Sequence, residues 1–281
     1  MVHKLIGFYG DRPAYTPNTT DQLALEIGHY QLVLLVKNPI NAQIEAIELF
    51  QLEQNKTDWT DLFFEVKQQS HLLGFNFAST NIFYNFSEAL MLPVEKLSAT
   101  ASEEYLSLIY GVDDRSVIKY DLFHAHVPYV TIYRIKQSVM ELLNRNFLLF
   151  TAQHIYTNIL NDIMKRTNLP SIFMKIIVYS AHIIVVLVKD KQLQLIQSVS
   201  FQSPDDILYY TLNIIQQSGL SALQTNVELS GLVDRQTGLI EQLNQSFGNI
   251  SYDQVPLDGI HESSAAHYAN YYFTPFYKLL V

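Results

Sequence analysis

The chain has 281 residues, of which 48% are hydrophobic and 16% charged, with a formal net charge of −9 and no cysteine. This length can bury a large core and suggests two domains of ordinary size. The acidic balance argues against a general nucleic-acid binder, which normally presents a basic face, and the lack of cysteine excludes disulfides, thiolate zinc sites and a cysteine nucleophile.

The beginning of the chain and its apolar runs give no sign of secretion or membrane insertion. Residues 1–11 do not contain an apolar core followed by a small-residue cleavage site. The longest apolar run has about 13 residues, which is too short to span a bilayer. We therefore expect a cytoplasmic protein without a transmembrane segment.

The first half of the sequence predicts an irregular lead-in, then a sheet with one helix. Residues 1–20 show little periodicity and contain two prolines. Gln22–Lys37 predicts a strand, a polar break and a second strand, and Gln43–Leu52 continues with alternating apolar residues. Thr57–Asp61 marks the start of a helix. Asn81–Phe86 predicts a further strand.

The middle of the chain predicts a hairpin between helices. A short helix is expected over Ser102–Tyr110, and Ser116–Phe123 with Val127–Tyr133 predicts the hairpin. Two helices follow, over Lys136–Asn146 and Thr151–Thr167. The second has isoleucines at helical spacing, and we expect it to link two domains.

The second half contains the clearest signal, an apolar run over Ile176–Val188 that is rich in β-branched residues. Such a run is either a buried helix or strands inside a sheet. The crowding of isoleucine and valine favours strands, as does the polar break at Ser180–His182. The expected strands are Met174–Tyr179, His182–Lys189, Gln192–Val199, Val227–Gly231 and Ile250–Tyr252. Helices are expected from Ser203 to Gly219 and over Thr237–Phe247.

The two halves resemble each other. Tyr30–Lys37 matches His182–Lys189, and each is followed by a third strand, a helix that starts at an aspartate, and a fourth strand. The repeat of about 150 residues is consistent with a duplicated domain. We therefore predict a first domain over residues 1–150 and a second over residues 151–281, with the linking helix at 151–167.

The end of the chain is rich in aromatic residues. A helix is expected over Ser263–Tyr272 and a closing strand over Phe273–Val281. An element docked on the second domain is the favoured interpretation, because termini are ordered only when they are tied down. The alternative is a surface for a protein partner or for a second copy in a homodimer, since aromatic residues are enriched at buried interfaces.

A meander of three strands followed by helix, strand and helix, occurring twice, resembles the actin-like ATPase fold. This is a duplicated, ribonuclease H-like α/β fold with two mixed sheets flanked by helices, shared by sugar kinases, Hsp70-type chaperones and scaffolds of pilus assembly. The segment Val227–Phe247 looks like the adenosine-side segment of that fold. The whole chain also resembles a bacterial family of unknown function that has been assigned the actin-like ATPase fold.

The resemblance implies where a nucleotide would bind. In that fold each half carries Asp-x-Gly between its first two strands, where the aspartate holds Mg²⁺ through water and the turn offers N–H groups to phosphates. Here the first half has Glu26 and Gly28, and the second has Val178-Tyr179-Ser180. The adenosine segment keeps Gly231 but follows it with leucine. The implied cofactor-binding positions are therefore Glu26, Gly28, Ser180 and Gly231.

These departures predict an actin-like protein with a degenerate nucleotide site. Phosphoryl transfer depends on positioning and on electrostatic stabilisation, so we expect no catalysis, no cofactor and an intracellular scaffold or partner-binding role. The alternative is an ATP-binding protein or weak ATPase that uses Mg·ATP in the cleft between the domains. A binder of another small molecule in that cleft is a third possibility. His124 and His126 could begin a metal site, but without an obvious third ligand we interpret them as an edge or loop pair.

Overall fold

The computed structural model describes residues 1–10, 16–53, 58–123, 128–233, 238–256 and 267–280. The chain divides into two compact units. The first unit contains Met1–Asp162, and the second contains Ile163–Pro256 and Tyr268–Lys278.

The large sheet of the first unit has six strands. They are β1 (Val2–Phe8), β2 (Gln22–Gly28), β3 (Gln31–Lys37), β4 (Ile44–Leu52), β5 (Ser79–Asn85) and β9 (Thr151–His154). Their order across the sheet is β1-β4-β3-β2-β5-β9. The first four neighbours pair antiparallel, whereas β5 runs parallel to β2 and β9 runs parallel to β5.

The central strands of this sheet are covered on both faces. Every residue of β3 is buried, and β2 is buried from Leu23 to its end. Strands of this kind have near-continuous apolar sequences rather than an alternating pattern. Polar side chains that do occur in them, such as Glu26 and Gln31, must therefore find partners inside the protein.

Four helices precede the sheet of the second unit in the chain. They are α1 (Trp59–Gln69), α2 (Ala99–Tyr110), α3 (Gln137–Asn146) and α4 (Ile155–Met164). The carboxylate of Asp58 caps α1 by accepting a hydrogen bond from the N–H of Thr60 at 2.9 Å. Leu62, Phe63 and Val66 form the buried face of α1 at helical spacing.

A small sheet of three strands also belongs to the first unit. It consists of β6 (Ala89–Pro93), β7 (Ser116–Phe123) and β8 (Tyr129–Lys136) in the antiparallel order β6-β8-β7. Leu106 of α2 packs against Val130 and Ile132 of β8 in a small core. Helix α2 therefore covers one face of this sheet.

The second unit contains a mixed sheet of five strands. They are β10 (Ile172–Val178), β11 (His182–Lys189), β12 (Gln192–Ser200), β13 (Asn226–Gly231) and β14 (Asn249–Tyr252). Their order is β12-β11-β10-β13-β14, which repeats the order β4-β3-β2-β5-β9 of the first sheet. In both sheets the last two strands run parallel to the first strand of the meander.

Helices α5 (Pro204–Gln217) and α6 (Leu239–Ser246) accompany the second sheet. Helix α5 begins with a capping box, in which Ser203 and Asp206 each bond the backbone N–H of the other. The buried side chains of α5 and α6 join one core cluster with β10, β11 and β13. The predicted boundaries of α5 agree with this helix because its caps are local in sequence.

Three predicted elements differ from the structure. The irregular lead-in is wrong over residues 2–8, because β1 pairs there with β4 and buries Val2, Ile6 and Phe8. Every second residue of a strand faces the same side, and in this series the position between Val2 and Ile6 is occupied by Lys4. The alternation is therefore not apparent from the sequence. The helix expected from Thr151 begins only at Ile155, since the preceding four residues form β9.

The closing strand expected over Phe273–Val281 is also wrong in the described residues. This part of the chain forms helical turns, including α7 (Thr274–Tyr277), which has Pro275 in its first turn. Tyr271, Phe276 and Leu279 are buried. Tyr271 joins the core of the second unit, and Phe276 contacts Tyr179 there. The aromatic segment is thus docked on the second unit, as the favoured interpretation predicted.

Candidate functional site

Glu26 lies near the carboxyl end of β2, and its side chain is completely buried. Its Oε1 accepts a hydrogen bond from Nε2 of Gln31 on β3 at 2.8 Å and another from Nδ2 of Asn85 on β5 at 2.9 Å. The carboxyl group is therefore held between the two strands that flank β2. It is a structural part of the sheet rather than a group presented at its edge.

Burial also determines the protonation of this carboxyl group. Burial raises the pKa of Glu26 to about 7, although the hydrogen bonds from Asn85 and Gln31 lower it in part. Its second oxygen, Oε2, has no hydrogen-bond partner among the residues that the structure describes. The surroundings thus favour the neutral acid, whereas Mg²⁺ binds ionised carboxylate oxygens.

Gly28 ends β2 next to Asn85, with which it pairs in the parallel ladder. A Cβ placed on Gly28 would lie 2.5 Å from the carbonyl oxygen of Asn85. That distance is shorter than any allowed contact between these atoms, so only glycine permits β2 and β5 to approach this closely. Strand packing alone accounts for the glycine.

In the second unit, the corresponding turn joins β10 to β11 and contains Tyr179, Ser180 and Ala181. The N–H of Tyr179 donates a hydrogen bond to the carbonyl oxygen of His182 at 2.9 Å. The two rings of this pair stack with their centroids 4.7 Å apart, and Phe276 meets Tyr179 edge-on at 6.3 Å. Tyr179 is buried and Ser180 is half-buried. The turn therefore holds a buried aromatic side chain where a phosphate loop exposes backbone N–H groups.

Gly231 ends β13 beside Val178 of β10. Its φ of +94° favours glycine, and a Cβ there would lie 2.1 Å from the carbonyl oxygen of Val178. The same oxygen accepts a hydrogen bond from the N–H of Leu232 at 2.8 Å, and the N–H of Val233 bonds to the carbonyl of Gly231 at 2.7 Å. The backbone groups that follow Gly231 are thus used within the unit.

The four predicted positions therefore form two pairs. Glu26 and Gly28 lie on one strand of the first unit. Ser180 and Gly231 lie in the second unit, at the adjacent carboxyl ends of the parallel strands β10 and β13. This end of a parallel pair is the usual position of ligands in α/β sheets.

The sequence analysis missed a group of charged residues in the second unit, which we call the buried ion cluster. It consists of Arg166, Lys175, Glu228, Asp253 and Lys278. The Nζ atom of Lys175 lies 2.6 Å from Oε1 of Glu228 and also contacts Asp253. Burial raises the pKa of Asp253, but the charges and hydrogen bonds of Lys175 and Lys278 outweigh this effect and lower the pKa overall.

The signal for the buried ion cluster is present in the sequence but is incomplete. Lys175 is a single charge in an apolar strand, and Glu228 is a single acid in another. The two residues stand directly opposite each other in the parallel ladder of β10 and β13. Sequence alone does not show which strands are neighbours, so the pairing could not be read from it.

A second polar group that was missed surrounds His154 at the junction of β9 and α4. Its Nε2–H donates to the carbonyl oxygen of Phe86 at 2.9 Å, and its Nδ1 accepts from the N–H of Tyr156 at 3.2 Å. Burial lowers the pKa of His154 to about 4, although the bond to Phe86 raises it in part. Asp121 accepts from the N–H of His154 at 2.6 Å and from the hydroxyl of Tyr133 at 2.9 Å.

The possible metal ligands do not form a site in the described part of the chain. His124 and His126 lie outside the described residues. Among the residues that are described, no group of three His, Cys, Asp or Glu side chains is placed to hold a metal ion.

Comparison with known proteins identifies a family and a fold. The family described as Protein of unknown function (DUF3822) matches residues 15–250. No curated protein sequence matches the chain. No helix within the described ranges has both the length and the apolar character needed to cross a lipid bilayer.

Two solved structures resemble this chain over most of their length. One is a Bacteroides thetaiotaomicron protein of unknown function with an actin-like ATPase fold. It is 17% identical, with a TM-score of 0.73 over 84% of this chain and 91% of that one. The other is the PilM–PilN type IV pilus biogenesis complex, with 14% identity and a TM-score of 0.62 over 94% of this chain and 98% of that one. The fold is therefore the actin-like ATPase fold.

Proposed function

Because this chain belongs to the family described as Protein of unknown function (DUF3822) and has an actin-like ATPase fold, we propose that it is a scaffold or partner-binding protein whose nucleotide site is degenerate. The observation that carries the proposal is the occupation of both phosphate-loop positions by the protein's own packing. Glu26 is tied into its sheet in the first unit. Tyr179 fills the turn of the second.

The first step of the argument concerns the metal. An acidic residue that holds Mg²⁺ must be ionised and must face the water around the ion. Glu26 would have to leave Gln31 and Asn85 to do this, and each abandoned hydrogen bond costs about 1 kcal/mol or more in a buried site. Its side chain is also one methylene longer than the aspartate expected at this position.

The second step concerns the phosphates. Phosphoryl groups are held by several backbone N–H groups that converge on one point. In the turn after β10 the N–H of Tyr179 is bonded to His182, and in the segment after β13 the N–H groups of Leu232 and Val233 are bonded to Val178 and Gly231. The donors at these positions stabilise the turns themselves, which supports a loss of phosphate binding.

The third step concerns the partner. PilM, whose structure has this fold, is found in a type IV pilus biogenesis complex with PilN. Folds do not determine functions, so this likeness is an analogy. It supports a role in which the two-unit framework is retained for its surface rather than for phosphate chemistry. The internal duplication of the framework remains a prediction that accompanies the proposal.

Isothermal titration of the purified chain with Mg·ATP and Mg·ADP tests the nucleotide part of the proposal. We expect no saturable binding at millimolar nucleotide. Thermal unfolding is an independent measurement of nucleotide binding. A ligand present at 100 times its Kd adds about 2.7 kcal/mol to the free energy of unfolding. For a chain of this length that corresponds to a rise of about 5 °C in the melting temperature.

The alternative, an ATP-binding protein or weak ATPase, makes the opposite prediction. Saturable micromolar binding that is lost in the Glu26→Gln variant would establish that alternative and overturn our proposal. The partner-binding role is tested by capture of the chain from its native cell extract at its natural abundance. The proposal requires that a captured protein form a stoichiometric complex with this chain when both are purified.

A further inference from the structure

Helix α2 has apolar side chains on two opposite sides. Leu106 is completely buried against β8, and Ser102 is buried one turn before it. On the outward side, Leu108 is 84% exposed and Ile109 is 58% exposed. A helix at the surface of a folded unit normally turns polar side chains outward, whereas a helix that is apolar all round is normally buried. The outward side of α2 therefore has the composition of a surface that is covered.

The outward side of α2 forms a compact patch, which we call the α2 patch. It consists of Glu104, Tyr105, Leu108 and Ile109. Residues four apart on a helix lie one turn above each other, so Glu104 precedes Leu108 in one row and Tyr105 precedes Ile109 in the next. Rows of this kind are the ridges that fit into the grooves of another helix. The natural complement of the α2 patch is therefore a second helix.

Negative charge lies at the edge of the α2 patch. Helix α2 contains Glu103 and Glu104 and no basic residue. Both glutamates are exposed, and within the part of the chain that the structure describes neither carboxylate has an ion pair or a hydrogen bond. The turn that follows adds no net charge, because Asp113 is held in an ion pair and the exposed Asp114 is followed by the exposed Arg115. The two glutamates are thus available to a partner.

This charge argues against two possible occupants of the α2 patch. Helices that lie on lipid surfaces have polar faces rich in lysine and arginine, and α2 has neither residue. A second copy of the chain, paired through the same patch, would bring its own Glu103 and Glu104 and no base from its helix. Like charges across an interface oppose association. The complementary occupant is a segment of another protein that carries positive charge.

We infer that the α2 patch binds an amphipathic helix of a partner protein, whose apolar stripe is flanked by lysine or arginine. The inference rests on the proposed partner-binding function and adds the chemistry of the partner. The apolar stripe of the partner helix packs on Leu108 and Ile109, and its basic side chains lie against Glu103 and Glu104. Burial of the apolar stripe provides affinity, whereas the charges fix the orientation and increase the rate of association.

A labelled synthetic peptide is the probe for the full-length chain. The peptide has about five helical turns and is made of leucine and lysine, with the leucines on one side of the helix. We expect saturable binding in fluorescence anisotropy with a Kd of about 10–300 µM, since the surface of one helix is small. The Kd should increase as the salt concentration rises from about 50 to about 500 mM. A matched peptide with glutamate in place of lysine should not bind.

Substitutions test whether the peptide binds at the α2 patch. Leu108→Asp should raise the Kd about tenfold or more, and Glu104→Lys should raise it about fivefold. Leu148→Asp is the control for the first variant, because Leu148 is fully exposed elsewhere in the same unit. Glu241→Lys is the control for the second, because it makes the same change in net charge at an exposed position of the other unit. All four variants should keep the melting temperature of the parent.

Several outcomes would overturn the inference. They are equal binding of the two peptides, equal effects of Leu108→Asp and Leu148→Asp, and no saturable binding of the leucine–lysine peptide up to about 1 mM. Co-sedimentation with phosphatidylserine vesicles that Leu108→Asp abolishes would assign the α2 patch to a lipid surface instead. A dimer in sedimentation that the same substitution abolishes would assign it to a second copy.

The captured partner separates this inference from the proposed function on which it rests. If a stoichiometric complex forms and its Kd is the same for Leu108→Asp and the parent, only the inference about the α2 patch fails. If no such complex forms, the proposed partner-binding function itself fails.

Discussion

Replacing Glu26 with glutamine is expected to change the stability of the protein in a pH-dependent way. Glutamine keeps one oxygen as the acceptor for Gln31 and Asn85 but carries no charge. The folded state binds the Glu26 proton more tightly than the unfolded chain does, because burial raises the pKa from 4.5 to about 7. The stability due to this proton is therefore fully present below pH 4.5 and is lost as the pH rises through about 7.

The magnitude follows from the shift. A difference of about 2.5 pKa units at 1.36 kcal/mol each corresponds to ~3 kcal/mol of lost stability once Glu26 is ionised. The glutamine Nε2 takes the place of Oε2 and is a buried donor without a partner, which costs ~1 kcal/mol at every pH. The variant should thus be ~1 kcal/mol less stable than the parent near pH 4.5 and ~2 kcal/mol more stable near pH 8.5.

Urea unfolding monitored through Trp59 is a suitable assay, since this single tryptophan lies in the same unit as Glu26. The quantity to follow is the difference in free energy of unfolding between variant and parent from about pH 4.5 to 8.5. Glu104→Gln is a matched control, because Glu104 is exposed on α2 and its substitution should give a difference that does not change with pH. If the difference in free energy of unfolding between Glu26→Gln and the parent is also independent of pH, the assignment of a buried, protonated carboxyl group is refuted.

Three further substitutions test the remaining buried groups. Lys175→Met removes the central cation of the buried ion cluster. Urea unfolding should show a loss of ~2–3 kcal/mol, because each carboxylate loses one charge-assisted hydrogen bond while Glu228 keeps Arg166 and Asp253 keeps Lys278. His154→Gln should flatten the loss of stability that the parent shows as the pH falls from 6.5 toward 4, since the folded state opposes protonation of this imidazole; an unchanged acid limb in pH titrations of the melting temperature would contradict this. Gly231→Ala should cost ~3 kcal/mol or more, because the new Cβ meets backbone at 2.1 Å. Gly238→Ala is the control in the same melting assay, because Gly238 has a left-handed φ of +71° with open space around it and should cost only the ~1–2 kcal/mol of backbone strain.

Much of the fold could be predicted from local patterns. The start of α5 was predicted correctly because its Ser203 cap and Asp206 lie three residues apart and stabilise the helix end without help from the rest of the chain. Strands β10 and β11 were recognised from their β-branched residues. The actin-like fold and the membership in a family of unknown function are confirmed by the comparisons. The nucleotide contacts implied for Glu26, Gly28, Ser180 and Gly231 remain predictions.

The elements that were predicted wrongly depend on contacts between distant parts of the chain. Strand β1 is held by its pairing with β4, more than 40 residues away in the register Val2–Leu52, so its own residues contain only a weak signal. Strand β9 is short and forms because β5 offers a parallel edge. The C-terminal segment has helical spacing of its buried side chains, but its aromatic residues suggested a strand when counted by type alone.

By itself, the sequence determined most of the strands of the two large sheets and the start of helices such as α5, because apolar periodicity and capping act within a few residues. Only the tertiary structure decided what the polar residues inside those segments do. Glu26 acquires its raised pKa from burial between β3 and β5, and Lys175 meets Glu228 because β10 and β13 are neighbours. Burial, strand adjacency and sheet edges arise from contacts between distant parts of the chain, which no local pattern records.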